Sequence, residues 1–264
     1  MLSILLVAYK PDIKKLNFLI KSIDKKYKII IINNSEIKLK NLNLIDKQVK
    51  IINSKNNGNG AAINLGLKYC KTSLVIYMDL DIKIQKKFFK KFIKIAKNIK
   101  NFCILVPNHG NLYDKRNIIE KYSGEASVMM FNLKKIKQTS LFDENFFLYF
   151  EEEDLFHRCK KSLFKVYFVK NLMIKHDRAT SVSKSVKNLK NIRSWHYMWS
   201  MFYFYKKNYN YFYGLKKVIK LLIIDSLMCF FYTITLNYDS SINRFYRIYG
   251  LLASLLGFKS FLRP

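Results

Sequence analysis

Two aspartates, one residue apart, are the first side chains that could do chemistry. Asp79 and Asp81 stand in YMDLDIK (77–83), where a predicted buried strand, SLVIYM (73–78), ends. In extended backbone, residues i and i+2 point to the same face, so the two carboxylates converge. Hard oxygen ligands of this kind suit Mg²⁺ or Mn²⁺, which also binds phosphate groups. The alternative is a solvated strand-to-helix turn.

A run of four acids is the second candidate. Glu151, Glu152, Glu153 and Asp154 follow an aromatic stretch in FFLYFEEEDLFHR (146–158), although the chain has only 18 acidic residues against 48 basic ones. Crowded carboxylates raise one another's pKa, which suits a base that works near neutral pH. If the run is helical, only one or two acids can face a site. The alternative is a helix N-terminus that favours acids through its dipole.

Glycines precede the aspartate pair in INSKNNGNGAAINLGLKYC (52–70). Gly58 and Gly60 permit close approach of the backbone, and a helix is predicted from Gly60 to Cys70, whose N-terminus would attract phosphate. The spacing of a dinucleotide-binding fingerprint fails, because Ile63 stands where the third glycine should be. By itself the stretch would be interpreted as an ordinary turn and helix cap.

Strands that alternate with helices position these residues. Continuous apolar runs predict four buried strands, SILLVAY (3–9), YKIIIIN (27–33), VKIIN (49–53) and SLVIYM (73–78). Such runs are typical of a parallel sheet covered by helices on both faces, so the predicted fold class is α/β. Ligands of these sheets bind at the carboxyl ends of the strands, and the aspartate pair lies at one of them.

Taken in order, these motifs resemble those of family-2 glycosyltransferases of the GT-A fold, especially the bacterial rhamnosyltransferase-like branch. The longest and most specific match is FDENFFLYFEEEDLFHR (142–158), and the resemblance covers roughly residues 3–180. The other matching stretches are VAYKPD (7–12), NNS (33–35), NNGNGAAINLG (56–66) and the Asp-x-Asp pair at 79–81. The resemblance implies a GT-A catalytic domain at residues 1–184, with a mostly parallel central sheet flanked by helices, and a helical extension at 185–264.

The resemblance also implies a metal-dependent, inverting glycosyltransferase. It would move a hexosyl or deoxyhexosyl group, rhamnose among the candidates, from a nucleotide-diphosphate sugar to a hydroxyl group. The acceptor would be a cell-surface glycan or a lipid-linked oligosaccharide, as in lipopolysaccharide or capsule biosynthesis. A carboxylate would act as general base, and Mg²⁺ or Mn²⁺ would offset charge on the departing diphosphate.

The general base of the family is normally the Asp of a Glu-Asp pair, and that position is Glu152 here. A Glu carboxylate lies one methylene further from the backbone, so Asp154 is the second candidate for the base. Glu151 shares a helical face with Asp154, and either of these two would hold backbone or acceptor. Gly124-Glu125-Ala126 falls where the family has a turn beside the acceptor, although Glu125 also fits a plain loop acid.

Binding roles follow from the same resemblance. The nucleotide sugar would be bound by Ala8, Tyr9, Asn33, Asn56, Gly58, Asn64 and Asp79. The metal would be held by Asp79, Asp81 and His176, since imidazole is an acceptable Mn²⁺ ligand. An Asp commonly reads the nucleotide base at the position of Asn33. Because Asn accepts a hydrogen bond without charge, the identity of the nucleotide stays open.

The segment beyond residue 185 has a different character. Residues 195–236 combine Trp, Tyr and Phe with lysine clusters, and the apolar run from Leu221 to Leu236 is interrupted by Asp225 and short for a bilayer span. Basic, aromatic amphipathic helices suit an anionic membrane surface. We therefore expect a peripheral protein on the cytoplasmic face of the inner membrane. Helices that pack on the sheet or form a homo-oligomer are the alternative.

Composition leaves two other functions open. A formal net charge of +30 would suit a nucleic-acid-binding protein, but the aromatic and lysine-rich segment contains no recognised motif, so nucleic acid is not an expected partner. A catalytically inactive GT-A scaffold is the other alternative, because Asn33 and Glu152 depart from the family pattern. The four cysteines have no metal-binding or redox spacing and indicate reduced structural thiols in the cytosol.

Overall fold

Two compact units make up the protein in a computed structural model that describes residues 2–40, 42, 48–85, 87–110, 112, 114–136, 141–177, 182, 183, 186 and 188–264. The sheet unit comprises Met1–Asn57, Ala61–Phe142 and Leu155–Ser183. The helical unit comprises Gly58–Gly60, Asp143–Asp154 and Lys184–Pro264. The predicted domain boundary between residues 184 and 185 lies outside the described residues.

A large mixed sheet forms the centre of the sheet unit. Its strands are β1 (Leu2–Ala8), β2 (Lys28–Asn33), β3 (Val49–Asn53), β4 (Leu74–Met78), β6 (Ile104–Asn108), β7 (Ile118–Glu120), β8 (Val128–Asn132) and β9 (Val166–Met173). A separate antiparallel pair consists of β5 (Ile82–Lys83) and β10 (Lys175–His176).

The order of the large sheet is β3-β2-β1-β4-β8-β6-β9-β7. The strands β1 to β4 are mutually parallel where they pair, and β6 is parallel to β9. Only β8 and β7 run antiparallel to their neighbours among the described strands of this sheet. The four strands predicted from apolar runs therefore form one parallel half of the sheet, and the predicted mostly parallel sheet is confirmed.

Helices cover both faces of this sheet. They are α1 (Ile13–Ser22), α2 (Asn59–Tyr69), α3 (Phe88–Asn98) and α4 (Glu151–Lys161). Successive residues of β1 enter different cores, because side chains alternate across a strand. Ile4 packs in the core that contains residues of α1 and α3, while Leu5 packs in the core that contains residues of α2 and α4. The apolar run of β1 thus contributes side chains to both cores.

Three long helices dominate the helical unit. They are α5 (Leu189–Asn208), α6 (Tyr211–Ile234) and α7 (Tyr238–Leu255). Asn210 and Asn237 cap α6 and α7, their side chains accepting from the backbone N–H groups of Tyr213 and Ser240. Gly250 permits close contact of α7 with α5, because a Cβ atom there would lie 2.2 Å from the carbonyl oxygen of Trp195.

Asp225, which interrupts the apolar run of α6, is buried and paired. Its carboxylate accepts from Arg244 at 2.5 Å and from Arg247 at 2.9 Å, so one buried acid ties α6 to two positions of α7. In the part of the chain that the structure describes, none of the helices combines the length and apolar character needed to cross a membrane.

Candidate active site

The aspartate pair lies at the carboxyl end of β4, as the sequence predicts. The backbone N–H of Asp79 donates to the carbonyl of Ser127 at 2.9 Å, and the hydroxyl of Tyr77 donates to the Asp79 carboxylate. Asp81 is buried and precedes β5 directly. The antiparallel pairing of β5 with β10 sets His176 opposite Ile82, so the imidazole lies beside Asp81. His176 Nε2 is 3.1 Å from Asp81 Oδ1.

The second ring nitrogen of His176 also has a carboxylate partner. Its Nδ1 lies 2.8 Å from Oε1 of Glu125. Burial disfavours the charged imidazolium, but the hydrogen bonds to Asp81 and Glu125 outweigh burial and raise the pKa of His176 to about 9. An imidazolium between two carboxylates supplies positive charge where a divalent cation would supply it.

The donor atoms at this edge fit a divalent cation. One ligand atom from each of Asp79, Asp81 and His176 lies within 4.8 Å of the others, and the same holds for His109, Glu125 and His176. Two carboxylates and one imidazole suit Mn²⁺ better than Mg²⁺, because imidazole is a softer donor than oxygen. His176 belongs to both groups, so the two groups are one continuous cluster.

His109 is a member of this cluster that the sequence did not predict. Its Nε2 lies 2.6 Å from the hydroxyl of Ser127, and its ring meets the ring of His176 edge to face with centroids 6.2 Å apart. No local motif marks His109. It directly follows β6, however, and the rule that ligands bind at carboxyl ends of strands would have selected it once β6 was recognised.

Two residues predicted to bind the nucleotide sugar, Ala8 and Asn33, lie in one row with Asn53 across three strand ends. Ala8 pairs in register with Asn33, and Asn33 with Asn53. Asn33 is buried, its amide donating to the carbonyl of Ile37 and to Asn53 Oδ1, both at 2.8 Å. Its Oδ1 accepts from the hydroxyl of Ser35 at 3.0 Å. This oxygen, predicted to accept from a base, therefore already has a partner within its own loop.

Three other predicted binding residues have different surroundings. Asn56 accepts from the side chain of Asn34 at 3.0 Å, next to the row of strand ends. Tyr9 is half-buried beneath the ammonium group of Lys10. Asn64 is buried, and its amide exchanges two hydrogen bonds with the backbone of Phe142, at 2.9 and 3.0 Å. This side chain clamps a neighbouring segment of the sheet unit.

Gly58 lies in the helical unit against the backbone of Phe147. Its φ is +105°, and a Cβ atom there would lie 2.6 Å from the carbonyl oxygen of Phe147. The following backbone N–H, of Asn59, donates to that same oxygen at 3.0 Å. The requirement for glycine at this position is thus explained by packing inside the protein as well as by conformation.

The acidic run begins α4 and divides into a buried and an open face. Glu151 and Asp154 are buried, whereas Glu152 and Glu153 are half-buried. Burial raises the pKa of Glu151, whose Oε1 accepts from the side chain of Asn59 at 3.1 Å. Glu151 and Asp154 therefore share a face, as helical spacing predicts.

Asp154 is held by two residues of α5. Its Oδ1 accepts from Lys207 Nζ at 2.7 Å and from Asn208 Nδ2 at 3.0 Å. Lys207 also pairs with Asp143 at 2.8 Å, so two acids share one lysine. These contacts give the Asp154 carboxylate an architectural role inside the helical unit.

The turn before α4 is strained. Tyr149 and Phe150 adopt φ values of 68° and 66°, a left-handed conformation that costs bulky residues about 1–3 kcal/mol each. Aromatic contacts hold them, since Tyr149 and Phe150 both pack on Tyr197, with ring centroids 5.7 and 5.6 Å apart. The direction in which the acidic residues leave this turn is therefore set by packing.

Comparison with known proteins supplies a family match. The model of the family described as glycosyl transferase family 2 matches residues 3–165. No curated protein matches the chain significantly. Among solved structures, the mannosyltransferase PcManGT from Pyrobaculum calidifontis, in complex with GDP-Man and Mn²⁺, is 9% identical with a TM-score of 0.57. That match covers 96% of this chain and 86% of PcManGT.

Two further structures have the same fold. GalNAc-T7 with UDP, GalNAc and Mn²⁺ is 13% identical with a TM-score of 0.56, and the match covers 83% of this chain and 56% of that chain. S. aureus TarS 1–349 in complex with UDP is 11% identical with a TM-score of 0.51, covering 97% of this chain and 91% of that chain. The chain spans 36% of a longer TarS structure. At these identities the likeness shows the fold.

Proposed function

This chain belongs to glycosyl transferase family 2 and has the GT-A fold, and we propose that it is a metal-dependent transferase that takes a sugar from a nucleotide-diphosphate donor. The observation that carries the proposal is the cluster of Asp79, Asp81 and His176 at the carboxyl edge of the sheet. The cluster is assembled by the pairing of β5 with β10 and offers the donor atoms that a divalent cation needs.

Asp79, Asp81 and His176 would hold Mn²⁺ or Mg²⁺. When bound, the cation supplies positive charge that offsets the charge of the departing nucleotide diphosphate. PcManGT and GalNAc-T7 were both solved with Mn²⁺, which supports Mn²⁺ as the first ion to test. In the absence of a cation, protonated His176 would partly offset the repulsion between the carboxylates around it.

Glu152 is the proposed general base. Glu152 is half-buried at the start of α4, whereas Glu151 and Asp154 are buried. The acceptor hydroxyl would pass its proton to Glu152 as its oxygen bonds to the anomeric carbon. The bond from that carbon to the diphosphate breaks in the same step, so the configuration inverts.

The donor and acceptor are proposed by class. GDP-Man in PcManGT supports a hexosyl donor, UDP in TarS supports a nucleotide-diphosphate donor, and the rhamnosyltransferase-like branch stays a prediction. The row formed by Ala8, Asn33 and Asn53 is the proposed position of the nucleotide base, with Tyr9 and Asn56 beside it. The acceptor would be a hydroxyl of a lipid-linked or cell-surface glycan, such as lipopolysaccharide or capsule.

A nucleotide-binding panel tests this proposal. Thermal unfolding is measured with UDP, GDP, dTDP and CDP, each with Mn²⁺, with Mg²⁺ or with a chelator. We expect stabilisation by one or two nucleotides that requires the cation and is lost in Asp81→Asn. The matched control is Asp114→Asn, since Asp114 is a surface acid of the same unit that forms an ion pair with nearby Arg116.

Two outcomes would contradict the proposal. One is the absence of any cation-dependent shift with all four nucleotides. The other is salt-sensitive binding to DNA or RNA that survives Asp81→Asn, which would favour the nucleic-acid alternative. Turnover with any donor and acceptor would exclude the inactive scaffold.

We also propose that α6 and α7 contact an anionic membrane surface. The exposed apolar residues along α7 and just past its end follow one another at intervals of three or four, Tyr238, Ile242, Phe245, Tyr249, Leu252 and Leu256. Residues at that spacing form a single stripe along a helix. On α6, Ile223, Leu227, Phe230 and Ile234 have the same spacing and are exposed.

Charge favours lipid over a second copy as the partner of these stripes. Lys216, Lys217 and Lys220 are exposed on α6 beside the apolar part of the helix. A net charge of +30 on each copy opposes self-association and attracts the chain to anionic headgroups. A position on the cytoplasmic face of the inner membrane would bring the site to lipid-linked acceptors.

A further inference from the structure

We infer that Asn59 is a positioning residue for the acidic turn, by which we mean residues 147–152, and that it acts through Glu151. The inference rests on the proposed function, because it concerns the placement of Glu152. Asn59 Nδ2 donates to Oε1 of Glu151 at 3.1 Å, although the two residues are 92 positions apart in the chain. Both belong to the helical unit.

Asn59 holds the acidic turn at two points. Its side chain bonds Glu151, and its backbone N–H donates to the carbonyl of Phe147 at 3.0 Å. Gly58 lets the backbone at 58–59 approach Phe147 closely enough for this hydrogen bond. A Cβ atom at Gly58 would lie 2.7 Å from the Cα of Phe147 and 2.6 Å from its carbonyl oxygen. The two attachments lie at different residues of the acidic turn. They therefore determine the orientation of the turn relative to Asn59 as well as its distance from Asn59.

The ring of Phe147 is held by aromatic and cationic groups. Its ring stacks on His196 with centroids 4.5 Å apart and planes at 26°. The guanidinium of Arg263 lies 4.2 Å from the ring centroid. His196 is itself fixed, donating from Nε2 to the carbonyl of Leu262 at 2.8 Å and accepting at Nδ1 from Ser260 at 3.1 Å. Phe147 is thus fixed both through its backbone and through its ring.

Because Glu151 is buried, water cannot readily replace its hydrogen bond from Asn59. Glu151 is 4% exposed, and its Oε2 has no hydrogen-bond partner among the described residues. Removing Asn59 Nδ2 would leave Oε1 without this donor, and burying a polar group that has lost its hydrogen-bond partner is unfavourable. The first turn of α4 would then move to regain a partner. Because neighbouring helical residues point about 100° apart, such a movement redirects Glu152.

The effect belongs to the chemical step and not to donor binding. A misplacement of about 1 Å can cost on the order of 10²-fold in rate. Asn59 lies within NNGNGAAINLG (56–66), a stretch whose sequence points to the nucleotide pocket. If Asn59 contacted the donor, its loss would raise the KM for the donor. If it positions Glu151, its loss lowers kcat and leaves that KM unchanged.

The experiment compares Asn59→Ala, Asn59→Gln, Glu151→Gln and the double variant Asn59→Ala/Glu151→Gln. For each protein we measure kcat, the KM for the donor and amide hydrogen exchange in residues 147–154. Asn59→Gln keeps an amide donor on a longer side chain and should restore part of the loss. The matched control is Asn98→Ala, an exposed asparagine at the end of α3.

We expect Asn59→Ala to lower kcat about 10- to 100-fold, with faster exchange in residues 147–154 and an unchanged KM. The double variant should be no worse than Glu151→Gln, because both changes act on one contact. A raised KM with unchanged exchange, or additive losses, would overturn the inference. The exchange measurement needs no turnover, so it decides the positioning role even if the proposed function fails.

Discussion

His176 shows how a single residue of the site is organised. Each ring nitrogen faces a different carboxylate, Asp81 at 3.1 Å and Glu125 at 2.8 Å. If Nε2 faces a cation, Nδ1 carries the proton and donates to Glu125, which orients the ring and increases its basicity. Glu125, for which the sequence suggested an acceptor contact or a plain loop acid, has this contact in the structure.

Glu125→Ala should therefore weaken Mn²⁺ binding about 10- to 100-fold, the usual cost of removing the partner of a metal-bound histidine. Glu125→Gln keeps an acceptor oxygen and should cost less. Affinity is measured by titration with Mn²⁺ followed by electron paramagnetic resonance. Glu120→Gln is the control, since Glu120 pairs with Lys165 on the surface of the same unit. Equal affinities of all three variants and the wild type would rule out this role.

Glu152 and Asp154 should respond differently to substitution. Glu152→Gln removes the proposed base, so we expect kcat to fall about 10²- to 10⁴-fold with unchanged thermal stability. Asp154→Ala removes a buried carboxylate that accepts from Lys207 and Asn208, so we expect a loss of about 1–3 kcal/mol in the free energy of unfolding. Paired measurements of kcat and denaturant unfolding distinguish them. A stable, inactive Asp154→Ala would make Asp154 the better candidate for the base.

At the scale of elements, α5 depends on a neutral buried histidine. Burial is the main cause that lowers the pKa of His196 to about 4, the hydrogen bond to Leu262 opposes it, and the nearby Arg263 adds a smaller lowering. An unfolded chain takes up this proton near pH 6.5, whereas the folded chain does not until about pH 4. The unfolded state therefore binds more protons between these pH values, and stability falls as the pH falls.

We expect His196 to contribute a loss of roughly 3 kcal/mol between pH 6.5 and pH 4. The free energy of unfolding is measured in urea at pH 7, 5.5 and 4 for the wild type and for His196→Gln. The difference between the two proteins should shrink as the pH falls, because the variant has no proton to take up. A constant difference at all three pH values would contradict the buried neutral histidine.

At the scale of the whole molecule, the distribution of apolar surface and charge determines which partners the chain can bind. The stripes of α6 and α7 are uncharged and exposed, while lysines cover much of the remaining surface. The proposed contact with an anionic bilayer rests on these two features, because apolar and aromatic side chains enter the interface while basic groups attract anionic headgroups.

Phe245→Ser combined with Leu252→Ser should therefore reduce binding to vesicles that contain phosphatidylglycerol, with little effect on thermal stability because both residues are exposed. Binding is measured by co-sedimentation, with neutral phosphatidylcholine vesicles as the comparison. Phe18→Ser is the control, since Phe18 is exposed on α1 of the sheet unit. A wild-type dimer in solution that the double variant converts to monomer would replace lipid with a second copy.

The sequence by itself determined the four strands of the parallel half of the sheet, the aspartate pair at the end of β4 and the family. These features depend on local patterns, since a buried strand needs a continuous apolar run and the residues just after a strand lie at the edge of the sheet where ligands bind. The shared helical face of Glu151 and Asp154 was also predictable from a local pattern, because the two residues are three positions apart.

Only the tertiary structure decided which of these residues meet. The pairing of β5 with β10 joins His176 to Asp81, and packing in the helical unit joins Asn59 to Glu151 and Lys207 to Asp154. These partners lie 95, 92 and 53 positions apart in the chain. No local pattern encodes such a contact, because it depends on strand register and on which buried polar groups must satisfy one another.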